Sequence, residues 1–138
     1  MTRYRLRIQY AHFDHETYDD RGLVSGDDVL KELDAFDWEG QVVAANQLER
    51  CSPTIYVETE SGVESIWISG YQDPKSPTFV SECAGSLEKR PAFFGLVTKT
   101  VCSSAHSQTM SLEGANAAVR ALLAGDYDEM IHLVESGQ

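Results

Sequence analysis

The chain is poor in cations. Eleven Lys and Arg residues stand against 22 Asp and Glu among 138 residues, a formal net charge of −11 at pH 7. A surface this negative repels phosphate backbones and anionic lipid, which argues against nucleic acid and acidic membranes as partners. The chain also lacks any apolar run near the roughly 20 residues that cross a bilayer. Met1-Thr-Arg-Tyr-Arg-Leu-Arg7 is basic but is not followed by the apolar stretch of a secretory signal. A cytoplasmic location is therefore expected. Cysteine is scarce: Cys51, Cys83 and Cys102 are odd in number, widely spaced and without a CxxC pair. That excludes a disulfide framework or a Cys-rich zinc site and predicts three small buried hydrophobes. The glycine-rich phosphate loops GxGxxG and GxxxxGK[ST] are missing, as is the nucleophile elbow GxSxG.

What is present describes one domain of ordinary core size, 42% hydrophobic and 24% charged. Residues 54–83 organise it. Ile55 and Val57 alternate with Tyr56, Ile66 and Ile68 alternate with Trp67, and Glu60-Ser-Gly62 lies between them, the pattern of a β-hairpin. Thr78–Cys83 predicts a third strand in the same sheet. Earlier, Tyr4, Leu6, Ile8 and Tyr10 alternate with Arg3, Arg5, Arg7 and Gln9, a strand with one solvated face whose arginines suit a sheet edge. Residues 11–26 are polar and aperiodic and read as a loop. Ser25-Gly-Asp-Asp28 forms a capping box before Val29, Leu30, Leu33 and Phe36 at helical spacing, which predicts a helix over about 26–37. A second short helix over 41–50 is a weaker expectation.

Further on, 84–91 reads as a connector, 93–101 as a strand kinked by Gly95, 103–108 as a polar turn and 108–110 as a short last strand. Ser111 then opens a helix over about 111–124, with Ala115, Ala118, Val119 and Leu122 as its apolar stripe and Gly125 at the left-handed C-terminal position. Asp126-Tyr-Asp-Glu129 starts a final short helix. The fold class is α+β: an antiparallel meander of about 5–6 strands with helices packed on one face.

Charge is unevenly placed. Residues 1–10 carry three Arg and no acid, whereas residues 11–39 carry ten acids against Arg21 and Lys31. The candidate partner-binding residues are Asp14, Glu16, Asp19, Asp20, Asp34, Asp37 and Glu39, with Trp67 and Tyr71 as apolar anchors. A Trp beside Ile and Val ordinarily lies in a core, so Tyr56 and Trp67 become anchors only if helices leave their face uncovered. His12 and His15 with nearby carboxylates offer metal ligands, but their spacing matches neither HExxH nor a calcium loop, and a solvated acidic loop is the simpler reading. Cys102 and His106 are the pair to weigh for a thiolate nucleophile. No metal or cofactor is expected.

Trp67-Ile-Ser-Gly-Tyr71, Phe79-Val-Ser-Glu-Cys83 and Ser111-Leu-Glu-Gly-Ala-Asn-Ala-Ala-Val-Arg-Ala-Leu-Leu-Ala-Gly-Asp126 together resemble the closing layout of bacterial immunity proteins of polymorphic toxin systems. The likeness covers about residues 54–135. It implies a small acidic α+β protein that blocks a cognate protein toxin by stoichiometric binding, without catalysis, as monomer or homodimer. Nuclease toxins have basic active sites, which would give an acidic surface its purpose. The alternatives are a small metal-dependent enzyme using His12 and His15, and a non-catalytic adaptor subunit.

Overall fold

The computed structural model describes residues 2–89 and 99–137. Six strands and four helices follow in the order β1 (Arg3–Gln9), β2 (Asp19–Ser25), α1 (Gly26–Ala35), α2 (Trp38–Leu48), β3 (Thr54–Thr59), β4 (Ser65–Tyr71), β5 (Thr78–Lys89), β6 (Lys99–Met110), α3 (Leu112–Leu123) and α4 (Tyr127–Ser136). The strands form one sheet in the order β2-β1-β3-β4-β5-β6, every neighbouring pair antiparallel. This is the α+β meander expected from the sequence.

Alternation sorts the side chains. Tyr4, Leu6 and Ile8 of β1, Ile55 and Val57 of β3, Ile66 and Ile68 of β4, and Phe79 and Cys83 of β5 are all buried on one face. They form a single cluster with Val29 and Leu33 of α1, Ala115, Ala118, Val119 and Leu122 of α3, and Met130, Ile131 and Val134 of α4. Small residues set the spacing of this layer. A Cβ on Gly85 would lie 3.0 Å from Tyr127 Cβ and 3.2 Å from Met130 Cε, so the bare backbone of β5 lets α4 sit down on the sheet. Tyr4 ties the layers with a polar bond, its hydroxyl donating to Leu123 O at 3.0 Å. The helix α2 lies at one end of the sheet: Trp38 stacks edge-on against Phe79 at 4.8 Å, and Asn46 donates to Gln72 O.

The caps of α1, α3 and α4 are those read from the sequence, and the Asp37 cap of α2 is not. Ser25 Oγ accepts from Asp28 N while the Asp28 carboxylate accepts from Ser25 N, closing the capping box of α1. Asp37, Ser111 and Asp126 cap α2, α3 and α4 by the side-chain bond alone, accepting from Gly40 N, Gly114 N and Glu129 N. Gly125 follows α3 with φ +74°, as its position predicts.

Five expectations need correction. The 11–26 segment contains a strand, β2, hidden from sequence reading because an edge strand here has only Val24 packed on the core and carries a left-handed Gly22 beside a bulge at Leu6/Arg7. That strand occupies the edge, so the arginine-bearing β1 lies inside the sheet, between β2 and β3. Residues 84–89 continue β5 instead of forming a connector, and 103–108 are strand, not turn. The serines of β6 suggested a turn, yet Ala105 and Ser107 face the core, while Ser104 and His106 face out. Tertiary pairing with β5 outweighs their weak strand propensity. The helix α2 also starts earlier than expected, at Trp38. The strand predicted from residue 93 lies outside the described residues up to 98.

Candidate functional site

Helices cover one face of the sheet and leave the other open. Arg5 and Arg7 of β1, Tyr56 and Glu58 of β3, Trp67 of β4 and Val80 of β5 are half-buried on the open face, with Asp20 and Glu82 exposed beside them. Tyr56 and Trp67 are direct cross-strand partners. Neither belongs to the core, contrary to the ordinary habit of such residues. With Gln9, Tyr18 and Thr54 they line a groove of about 360 Å³. The charges on this face are matched in pairs. Arg5 Nε lies 3.3 Å from the Glu58 carboxylate, Arg7 Nε lies 3.7 Å from that of Asp20, and the Arg7 guanidinium sits 5.7 Å over the Tyr56 ring. Tyr56 Oη donates to Glu58 at 2.7 Å. Burial and that bond to a carboxylate raise the phenol above its usual value.

The carboxylates singled out from the sequence do not form one patch. Asp19 pairs with Arg21 at 2.7 Å, and Arg21 reaches on to Glu32 of α1 at 2.6 Å. Asp20 points to the open face and Arg7, whereas Asp34 points to Arg120 of α3 at 3.4 Å. Asp14 closes its own turn: Thr17 Oγ1 and Glu16 N both donate to it, which lowers its pKa. Asp37 is spent on the N-cap of α2 through Gly40 N. Glu16 and Glu39 are exposed and make no ion pair among the described residues. Four of the seven, Asp14, Glu16, Asp37 and Glu39, belong to one end of the molecule. There the 10–17 segment is tied to α2 by Ala11 N donating to Gln41 Oε1 at 2.9 Å, and to the chain just beyond α2 by Arg50 donating to His12 O at 3.1 Å. Tyr71 is held by its hydroxyl, which donates to Gln108 O at 2.7 Å, and Trp67 lies on the open face.

Net charge divides accordingly. The residues of α1 with those from Ser111 to Gly137 hold nine acids against Lys31 and Arg120. Residues 10–17 and 36–51, the α2 end, hold five acids against Arg50. The other described residues, which are the strands and their turns, hold eight acids against seven bases, and Arg90 lies outside the described residues.

The α2 end also brings together a pair that sequence spacing could not indicate. Cys51 Sγ lies 3.7 Å from His15 Nδ1, 36 residues away in the chain. Cys51 is buried, and its burial, with the Asp14 charge, pushes the thiol above its usual value despite Arg50. A thiol held protonated is a poor nucleophile. Beside it, His12, Phe13, Asp14, His15, Thr17, Glu49 and Arg50 line an open hollow of about 520 Å³. No group of three or more His, Cys, Asp or Glu side chains is placed to share a metal ion among the described residues. His12 stacks on Tyr10 instead, at 5.9 Å. Cys102 and His106 are both in β6. Four steps along an extended strand span about 13 Å between backbone positions, and the Cys102 side chain lies outside what the structure describes. No family model matches the chain, and neither the curated proteins nor the solved structures contain a significant match.

Proposed function

We propose that this protein is a cytosolic inhibitor of the immunity kind, which neutralises a protein toxin by covering a basic surface of it, one molecule to one. The observation that supports this reading is the placement of charge. The helical layer and the α2 end together carry an excess of eleven negative charges, whereas the described strands and turns hold eight acids against seven bases. Carboxylates concentrated on one side of a molecule accelerate encounter with a cationic partner and set its orientation. Asp14, Glu16, Asp37 and Glu39 are the residues best placed for this. Asp19, Asp20 and Asp34 already have arginine partners and contribute less field. A surface of this kind needs no reacting group.

The test starts from the neighbouring gene, which is expected to encode a toxin domain, and titrates the purified chain with that domain. The expected result is a 1:1 complex whose association rate falls steeply as salt is raised. Replacing Glu16 and Glu39 together by Lys should slow association by about tenfold while leaving dissociation nearly unchanged, as electrostatic steering requires. Absence of a complex, or an association rate indifferent to salt and to both substitutions, defeats the proposal.

A further inference from the structure

We infer that the open sheet face is a self-association surface that packs against the same face of a second copy of this chain. Its chemistry is that of a buried surface. Trp67 and Tyr56 form an aromatic cross-strand pair at its centre, and Tyr18 and Leu23, 47% and 39% exposed, extend the apolar area toward β2. Aromatics in this position are the residues that anchor interfaces.

Charge selects the occupant. Arg3, Arg5 and Arg7 share the face with Asp20, Glu58 and Glu82, three cations against three anions. A cationic partner would meet the three arginines and is better served by the acidic helical side. An anionic partner would approach a molecule of net charge −11. A second copy fits both constraints. Arg5–Glu58 and Arg7–Asp20 are already paired within each protomer. Under a two-fold axis these pairs can lie over those of the second copy, so that each ion gains an opposite charge across the contact and the surface is complementary to itself.

The acidic layers do not oppose this contact. Stacked sheets lie about 10 Å apart, and each helical layer sits about 10 Å behind its own sheet, so the two acidic sides stand about 30 Å from each other. That exceeds three Debye lengths of about 8 Å at physiological ionic strength. The area is adequate as well. Six strands about 4.8 Å apart and about 20 Å long present roughly 500 Å² in projection on each copy. A specific interface requires about 1,000 Å² over both partners.

The inference does not depend on the toxin reading, and it is tested without a toxin. Sedimentation equilibrium of the full chain, from low to high micromolar concentration, should give a reversible monomer–dimer equilibrium. Trp67→Glu and, separately, Val80→Arg should raise the dimer dissociation constant about 30-fold or more, the scale of an interface hot spot. Circular dichroism checks that each is folded, and Val43→Glu, on the exposed side of α2, should leave the dimer intact. The sharper test swaps charges. An acidic-face variant (Arg5→Glu with Arg7→Glu) and a basic-face variant (Asp20→Arg with Glu58→Arg) should each be monomeric alone and should form a 1:1 heterodimer when mixed. A wild-type chain that is monomeric at every concentration overturns the inference. So does a dimer that survives Trp67→Glu and both charge swaps, because its contact would then be a sheet edge or the helical layer.

Discussion

The two faces of this sheet are built from the same strands and differ in nearly every physical respect. In β4, Ile66 and Ile68 have no exposed surface, and Trp67 between them remains half-exposed. One face is apolar and sealed by α1, α3 and α4. The other carries aromatics, arginines and carboxylates, and among the described residues no helix seals it. The difference teaches that amphipathic alternation specifies two surfaces at once, and that a large aromatic residue need not belong to the one that folds the protein. Here Phe79, Tyr4 and Trp38 join the aliphatic residues in the core, and the Tyr56–Trp67 pair is left for contact.

The largest effect that would test this contrast comes from adjacent truncations. Ile68→Ala should cost about 2–5 kcal/mol, the usual range for emptying a closed core site. Trp67→Ala, one position earlier, should cost about 1 kcal/mol or less, since surface changes rarely exceed that. Urea unfolding measures both, and equal losses would mean that the open face is closed in solution by something that stabilises the fold. A smaller effect is expected at Gly70, where β4 packs closely against two aromatic rings. A Cβ there would come within 3.1 Å of Trp38 Cε3 and 3.3 Å of Phe79 Cε2. Gly70→Ala should therefore destabilise by about 1–3 kcal/mol through overpacking. Loss of near-ultraviolet dichroism from Trp38 would identify the ring that moves.

The smallest effect sharpens the boundary between the faces. Burial pushes the Glu64 carboxyl up, but Ser86 Oγ at 2.6 Å and Thr59 Oγ1 at 2.7 Å donate to it, and the balance leaves its pKa below the usual carboxylate range. A carboxyl whose pKa is lower folded than unfolded binds fewer protons in the native state. Its stabilisation is present above the unfolded value of about 4.3 and is lost as pH falls through the folded value. Glu64→Gln should therefore reduce the fall in stability between neutral and acidic pH. Unfolding midpoints measured across that interval check it. An unchanged acid limb would show that the Ser86 and Thr59 bonds do not favour the ionised form.

How much was legible in the sequence follows from the range of each interaction. Caps are local: Ser25, Ser111 and Asp126 announce their helices because the accepting oxygen and the donating amide are three residues apart. The β3–β4 hairpin is legible for the same reason. β2 was not, since an edge strand buries little and leaves no apolar period. The candidate site was less legible than the fold. Asp19, Asp20 and Asp34 are close in sequence, yet their arginine partners come from β2, β1 and α3. Cys51 and His15 meet only because the 10–17 segment is tied to the end of α2.

By itself, the sequence determined the class of the fold, the starts of α1, α3 and α4, the alternation that puts isoleucine and tryptophan on opposite sides, and the excess of negative charge. These depend on composition and on contacts within a few residues. The tertiary structure alone decided which side of the sheet the helices would cover, that β1 would be flanked on both sides, and which carboxylates would find an arginine. The reason is that strand order and ion pairing depend on segments far apart in the chain, whose meeting is set by the packing of the whole sheet.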